Sequence, residues 1–290
     1  MKNILITGGT GYIGSNLIDK LLSKEFKVFA LYNNNKSNKI DDNLHWIKYN
    51  GSFDSLTKIP QKIDIILHLA TLFSPKHSID VIKNMINSNI LLGVHLLEFA
   101  KENNIKSFIN TSTYAQSVDD SAYNPQNFYT ATKGAFESIL KFYTESGVVN
   151  NITLSLYDTY GPNDTRPKFI NLVLNNLNSD QIFNMSLGEQ EIRYIYIDDV
   201  TEAYYLSIEL LLSNKISKSE TFSICGKETF TLNELVRHVG DIYEKKIETN
   251  PGFYPYRDRE IMKCDPKFPT LPGWEPKTNI EQGIKQIIGK

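Results

Sequence analysis

The sequence predicts an α/β fold, a doubly wound parallel sheet with a smaller α/β lobe interleaved with it. Three observations carry this. Short apolar runs alternate with longer amphipathic stretches through the first half of the chain. Glycines at 8, 11 and 14 stand between the first such run and the first such stretch. After about Gly161 the rhythm shortens, yet no Ser/Gly/Pro linker separates the two parts.

Residues 2–7 read as a buried strand around Ile4, Leu5 and Ile6, and residues 13–22 as the helix that follows. A second strand spans 27–32, an asparagine-rich loop 33–43, and a third strand 45–49. Residues 64–70 and 107–112 give a fourth and a fifth strand. Between those two, residues 82–103 carry Ile86, Ile90, Leu97 and Phe99 at helical spacing. A loop at 123–127 precedes a helix over 134–144 and a strand over 152–156. Beyond Gly161, helices are expected at 169–177, 200–212 and 232–243, and short strands at 193–197 and 221–225. Residues 251–276 form a run rich in proline, glycine and aromatics.

Composition excludes several classes. The 290 residues suffice for one large domain, or one with an annex. With 41% hydrophobic and 22% charged residues the chain is globular. A net charge of -2 gives no reason to expect a nucleic-acid or membrane partner. No apolar run approaches the ~20 residues of a membrane span, and Ile4-Leu5-Ile6 meets the glycines without a signal-peptide pattern. Cys225 and Cys264, the only cysteines, are too few for a disulfide scaffold or zinc cluster, so no metal and a reducing cytoplasm are expected.

The glycines of Gly8-Gly9-Thr10-Gly11-Tyr12-Ile13-Gly14 have mechanical roles between a strand and a helix. They permit a tight turn, close backbone approach to a pyrophosphate, and close helix–strand packing. The helix N-terminus then offers unpaired N–H groups and partial positive charge. This is a Rossmann dinucleotide site, with residues 1–160 as the binding domain and 161–290 mainly a substrate-binding lobe. The second strand ends Tyr32-Asn33-Asn34-Asn35-Lys36, without the carboxylate that holds an NAD ribose. Asn33 and Lys36 could receive a 2′-phosphate, which favours NADP and leaves NAD possible.

Tyr129 and Lys133 lie one helical turn apart, so both face the same way. The ammonium is expected to lower the phenol pKa towards general acid–base work. One strand and loop earlier, Ser112 and Thr113 end a strand.

The GxxGxxG spacing with this Tyr-x-x-x-Lys resembles the extended short-chain dehydrogenase/reductase family, over essentially the whole chain. The resemblance implies a Thr113–Tyr129–Lys133 triad in which Thr113 orients, Tyr129 transfers the proton and Lys133 tunes and anchors. It also sets Tyr12, Ile13, Ser52, Phe53, Ala70, Thr71 and Asn89 at the cofactor, and Ser112, Tyr157 and Asp158 at the substrate. His68 reads as a packed strand histidine, and Asp199 as a structural cap for the helix starting near Val200. Dehydratases of the family follow the Thr with Asp-Glu; Tyr114-Ala115 stands here, which argues against dehydration. Many members carry an arginine where Ile192 lies, and Arg193, one position on, would face the other way as a surface charge. Arg257 and Arg259 are the better candidates for a substrate diphosphate.

Several runs narrow the resemblance to bacterial nucleotide-sugar 4-ketoreductases of the CDP-abequose synthase and CDP-paratose reductase type. They are residues 124–129, 157–166, 185–190, 255–260 and 271–274. The implied reaction is NADPH-dependent reduction of the C4 keto group of a nucleotide-diphosphate 4-keto-6-deoxy or 3,6-dideoxy hexose, in surface-polysaccharide sugar biosynthesis. The rivals are a 4-epimerase with tightly held NAD, and a non-catalytic dinucleotide-binding regulator. Family members also dimerise through two long helices, here about 82–103 and 129–146, which implies a homodimer.

Overall fold

Strand β1 (Asn3–Thr7) is buried at four of five residues in a row, which requires cover on both faces of the sheet. The computed structural model describes residues 1–59, 62–74, 78–119, 121–177, 179 and 181–288. After β1 come α1 (Tyr12–Ser23), β2 (Lys27–Tyr32), β3 (Leu44–Lys48) and β4 (Ile65–His68). Helices α2 (Ile79–Ile86) and α3 (Leu92–Glu102) are joined by one π-helical turn, Asn87–Leu91. Then follow β5 (Ser107–Thr113), α4 (Phe128–Glu145), β6 (Asn150–Leu156) and β7 (Asp158–Tyr160). Next are α5 (Phe169–Asn176), β8 (Phe183–Asn184), β9 (Glu191–Ile192), β10 (Tyr194–Tyr196) and α6 (Ile197–Leu212). The chain continues through β11 (Ser219–Ile224), β12 (Phe230–Thr231), α7 (Leu232–Tyr243), β13 (Thr249–Asn250) and α8 (Ile280–Ile288).

Seven strands form one parallel sheet in the order β11-β6-β5-β4-β1-β2-β3. This is the doubly wound Rossmann order extended by β11. It reverses between β1 and β4, where Thr7 pairs with both Leu31 and His68, and a crevice opens beyond the C-terminal strand ends. Alternation along β1 builds two cores: Ile4 and Ile6 face α1 and α6, Leu5 faces α3 and α4. A third core lies in the smaller lobe, where Leu232, Leu235, Val236 and Val239 of α7 pack with Ile170, Val173, Ile280 and Ile284.

Several boundaries move for local reasons. The helix expected over 134–144 begins at Phe128, because Asn127 and Thr130 form a reciprocal capping box with bonds of 3.0 Å each way. Helix α6 begins three residues before Val200, so Asp199 lies inside its first turn and is not a cap. Its buried carboxylate instead accepts from the Lys277 and Thr278 N–H groups, both at 3.0 Å, and ties the C-terminal segment to α6. Among the described residues no helix is long and apolar enough to cross a membrane.

Candidate active site

The turn after β1 is shaped by its glycines. Gly8 has φ +73°, and a Cβ there would stand 2.8 Å from the Ala70 nitrogen. A Cβ on Gly14 would stand 2.1 Å from the Gly8 carbonyl oxygen, which accepts from the Gly11 N–H at 3.0 Å. The α1 N-terminus therefore sits hard against the turn, and its N-cap, Gly11, brings no side chain to satisfy the first N–H groups.

Above this turn lies a cleft of about 950 Å³, at the upper end of the usual range for small-molecule sites. Gly8, Gly11, Tyr12, Ile13, Gly14, Asn33, Ala70, Thr71, Ser112, Thr113, Tyr129 and Tyr157 all line it, twelve of the residues expected from sequence. Lys36 is exposed and is not on the wall. Ser52 and Phe53 stand just past it; Asn50 and Gly51 form that rim instead, while Ser52 accepts from the Asp54 N–H and Phe53 packs edge-on against His95. Asn89 is buried behind the wall in the π turn. There it accepts from the Thr71 hydroxyl (3.1 Å) and Leu72 N–H (2.7 Å), and donates to the Leu72 carbonyl (3.0 Å) and Thr132 hydroxyl (2.9 Å). It thus fixes the wall to α4 rather than lining the cleft.

On α4, Tyr129 reaches the cleft and Lys133 lies one turn deeper, 2% exposed. Burial pushes the Lys133 ammonium down to about 8, opposed by the Glu137 carboxylate. The sequence expectation for Tyr129 is reversed. Burial holds its phenol above the ordinary value and Glu137 adds to the rise; a hydrogen bond with Thr71 opposes it. The phenol is therefore an acid at neutral pH. His68 is fully buried, bonded through Nδ1 to the Thr7 hydroxyl at 2.9 Å and pushed down to about 3 by burial and by Lys133, so it is a neutral packing group.

The cations are not those expected. Arg257 and Arg259 are exposed and off the cleft wall. Arg259 donates to the Pro125 carbonyl at 3.0 Å and reaches the Asn124 side chain, latching the 251–276 run to the loop before α4. Arg166 and Lys168 line the cleft, and sequence reasoning passed over both. The Arg166 fork donates to Asp164 at 2.7 and 2.8 Å and stacks over the Tyr12 ring, 4.6 Å from its centroid. Lys168 donates to Asp158 at 2.5 Å, and Asp158, set behind the wall, also accepts from the Tyr114 hydroxyl at 3.1 Å. Arg193 is not a surface charge: its side chain is 14% exposed, it donates to the Gly226 carbonyl at 3.1 Å, and both free cysteines interact with it. Its turn away from the Ile192 face carried it inward, within electrostatic reach of Tyr157, not to solvent. The only available signal for the cleft cations was Asp164-Thr165-Arg166, a carboxylate beside a fork two residues on.

The profile of the NAD dependent epimerase/dehydratase family matches residues 4–225. The chain belongs to this family. It is thereby an NAD(P)-dependent enzyme of the extended short-chain dehydrogenase/reductase type. It is 30% identical to the CDP-abequose synthase of Yersinia pseudotuberculosis over 294 residues, with 99% of each chain covered. Its fold matches the UDP-glucose 4-epimerase of Thermotoga maritima, solved with UDP-glucose, at a TM-score of 0.83 and 23% identity, covering 99% and 97% of the two chains. It also matches the Thermus thermophilus UDP-glucose 4-epimerase, solved with NAD, at a TM-score of 0.80 and 21% identity, covering 99% and 98%. The residues present fit the family's dinucleotide: where the Gly8 and Gly14 side chains would stand, the backbone closes instead, and no carboxylate lines the cleft among the described residues.

Proposed function

We propose that the protein is an NADPH-dependent 4-ketoreductase acting on a nucleotide-diphosphate 4-keto-6-deoxy or 3,6-dideoxy hexose. The observation that carries this reading is Tyr129, a protonated phenol on the wall of a carboxylate-free cleft, one turn from a buried ammonium. Gly8, Gly11 and Gly14 would seat the dinucleotide diphosphate at the α1 N-terminus, with Tyr12, Ile13, Asn33, Asn50, Gly51, Ala70 and Thr71 around it. When bound, the nicotinamide supplies a hydride. Thr113 hydrogen-bonds the substrate's C4 oxygen where charge develops, and Tyr129 gives that oxygen its proton. Lys133, buried one helical turn behind Tyr129, would anchor the ribose. Arg166 and Lys168 present the cations for the substrate diphosphate. Residues 1–160 thus serve mainly the dinucleotide and 161–290 mainly the sugar nucleotide, and the active form is a cytoplasmic homodimer.

One feature of the cleft favours reduction over 4-epimerisation. The end of β2 presents Asn33 and Asn34 in place of a ribose-binding carboxylate, which suits NADP. The abequose synthase relative supports the same substrate class. Tyr129→Phe tests the reading: turnover should fall by about 10²–10⁴ with dinucleotide affinity retained. Undiminished turnover would remove Tyr129 from the chemistry.

A further inference from the structure

We propose that Glu137 is a positioning residue for this site: its half-buried carboxylate keeps the Lys133 ammonium charged and ties the end of β5 to α4. The inference rests on the reading of Tyr129 and Lys133 given above. Tyr129, Lys133 and Glu137 recur every four residues on α4, so the three side chains form one row along the helix. The row runs from the cleft into the protein. At the C-terminal end of the row Glu137 accepts from Gln116 Nε2 at 2.6 Å and from the Ser112 hydroxyl. Gln116 Nε2 also donates to the Ser112 hydroxyl at 2.7 Å, closing a three-membered clamp. Ser112 lines the cleft next to Thr113, so its hydroxyl faces inward to Glu137 and fixes the strand end against the helix that carries the phenol.

The charges around the clamp make Glu137 decisive. The titratable groups facing Lys133 or its row are Tyr129 and Glu137 from α4, His68 from β4, Tyr204 from α6, and Tyr123 from the loop before α4. His68 is neutral and the tyrosines are held protonated by burial. Among the described residues, Glu137 is the one carboxylate in this group; burial raises it, while the Ser112 hydroxyl, the Lys133 ammonium and Gln116 draw it back towards the charged form. A buried ammonium without an opposite charge gives up its proton. Burial alone pulls Lys133 down, and Glu137 is what opposes it.

The test is the titration of Lys133 in protein carrying ε-¹³C lysine, its signal assigned by its loss in Lys133→Arg. In the wild type the midpoint should lie near about 8. In Glu137→Gln it should fall. A fall of about one unit leaves roughly a tenth of Lys133 charged at pH 8, so dinucleotide affinity drops about fivefold there and nearly converges with the wild type at pH 6. An unchanged midpoint, or a loss of affinity equal at every pH, would overturn the proposal and leave Glu137 a packing residue. Should Glu137→Gln fail to fold, Glu137→Asp decides, because withdrawing the carboxylate by one methylene should lower the midpoint by a smaller step. A wild-type protein that binds no dinucleotide at any pH would instead defeat the oxidoreductase reading, while the Lys133 titration would still judge Glu137.

Discussion

Replacing Gly14 by alanine puts the phosphate turn under direct strain. The new Cβ would lie 2.1 Å from the Gly8 carbonyl oxygen, 2.8 Å from its carbon and 2.9 Å from Gly9 Cα, all backbone atoms. Ordinary contact begins at 3.4 Å, so α1 and the turn must separate by about 1.3 Å. Overpacking of this kind costs about 1–3 kcal/mol of stability. It also withdraws the N–H groups of α1 from the proposed seat of the dinucleotide diphosphate. A hydrogen bond to a charged group contributes about 1.5–3 kcal/mol, so losing one lowers NAD(P) affinity about 10- to 100-fold. Gly93→Ala is the control, since its Cβ would stand 2.2 Å from a Phe136 ring carbon, a similar overlap within the α3–α4 core. Calorimetric titration with NADPH and NADH, alongside thermal unfolding, separates the two effects. Both variants should melt lower, but only Gly14→Ala should bind weakly. Binding by Gly14→Ala within twofold of the wild type would refute the assignment of this turn to a diphosphate.

Lys168→Gln should raise KM for the nucleotide sugar by about tenfold or more and leave dinucleotide affinity unchanged, as expected for a charged contact to the substrate diphosphate; steady-state kinetics with an unaltered KM would remove Lys168 from that role. His68 gives a pH dependence of stability. Folded, it stays neutral down to about 3, whereas in the unfolded chain it takes a proton below its ordinary 6.5. The unfolded state therefore binds the extra proton, and stability falls as pH drops from 6.5 towards 3, by at most about 1.4 kcal/mol per pH unit from this group. Urea unfolding between pH 7 and 5 should show a shallower decline in His68→Gln than in the wild type; parallel declines would contradict the assignment.

What the sequence disclosed was whatever is local. The glycine turn, the limits of β2 and α7, and the Tyr129–Lys133 pair all follow from spacing within a few residues. The start of α4 was missed because its capping box uses Asn127 with Thr130, where the usual acidic partner is absent. Asn89 was placed near the cofactor, but its four hydrogen bonds join Thr71, Leu72 and Thr132, residues 17 to 43 positions away. The cleft cations could not be ranked from sequence for the same reason. Arg259 looked available until the fold brought it to Asn124 and Pro125, 135 and 134 residues earlier. Arg166 looked ordinary until the β7–α5 loop laid it across Tyr12. A strand's alternation gives the side on which Arg193 falls, but not whether that side is solvent or a second layer of protein.

The proposed reaction is a net hydride transfer from nicotinamide to the sugar C4. The direct measurement is NADPH and NADH oxidation against a panel of CDP-, dTDP- and GDP-4-keto-6-deoxy sugars, with NMR of the products. Stoichiometric oxidation, faster with NADPH, and one new C4 alcohol are expected. Interconversion of C4 epimers without net oxidation of either cofactor would contradict it.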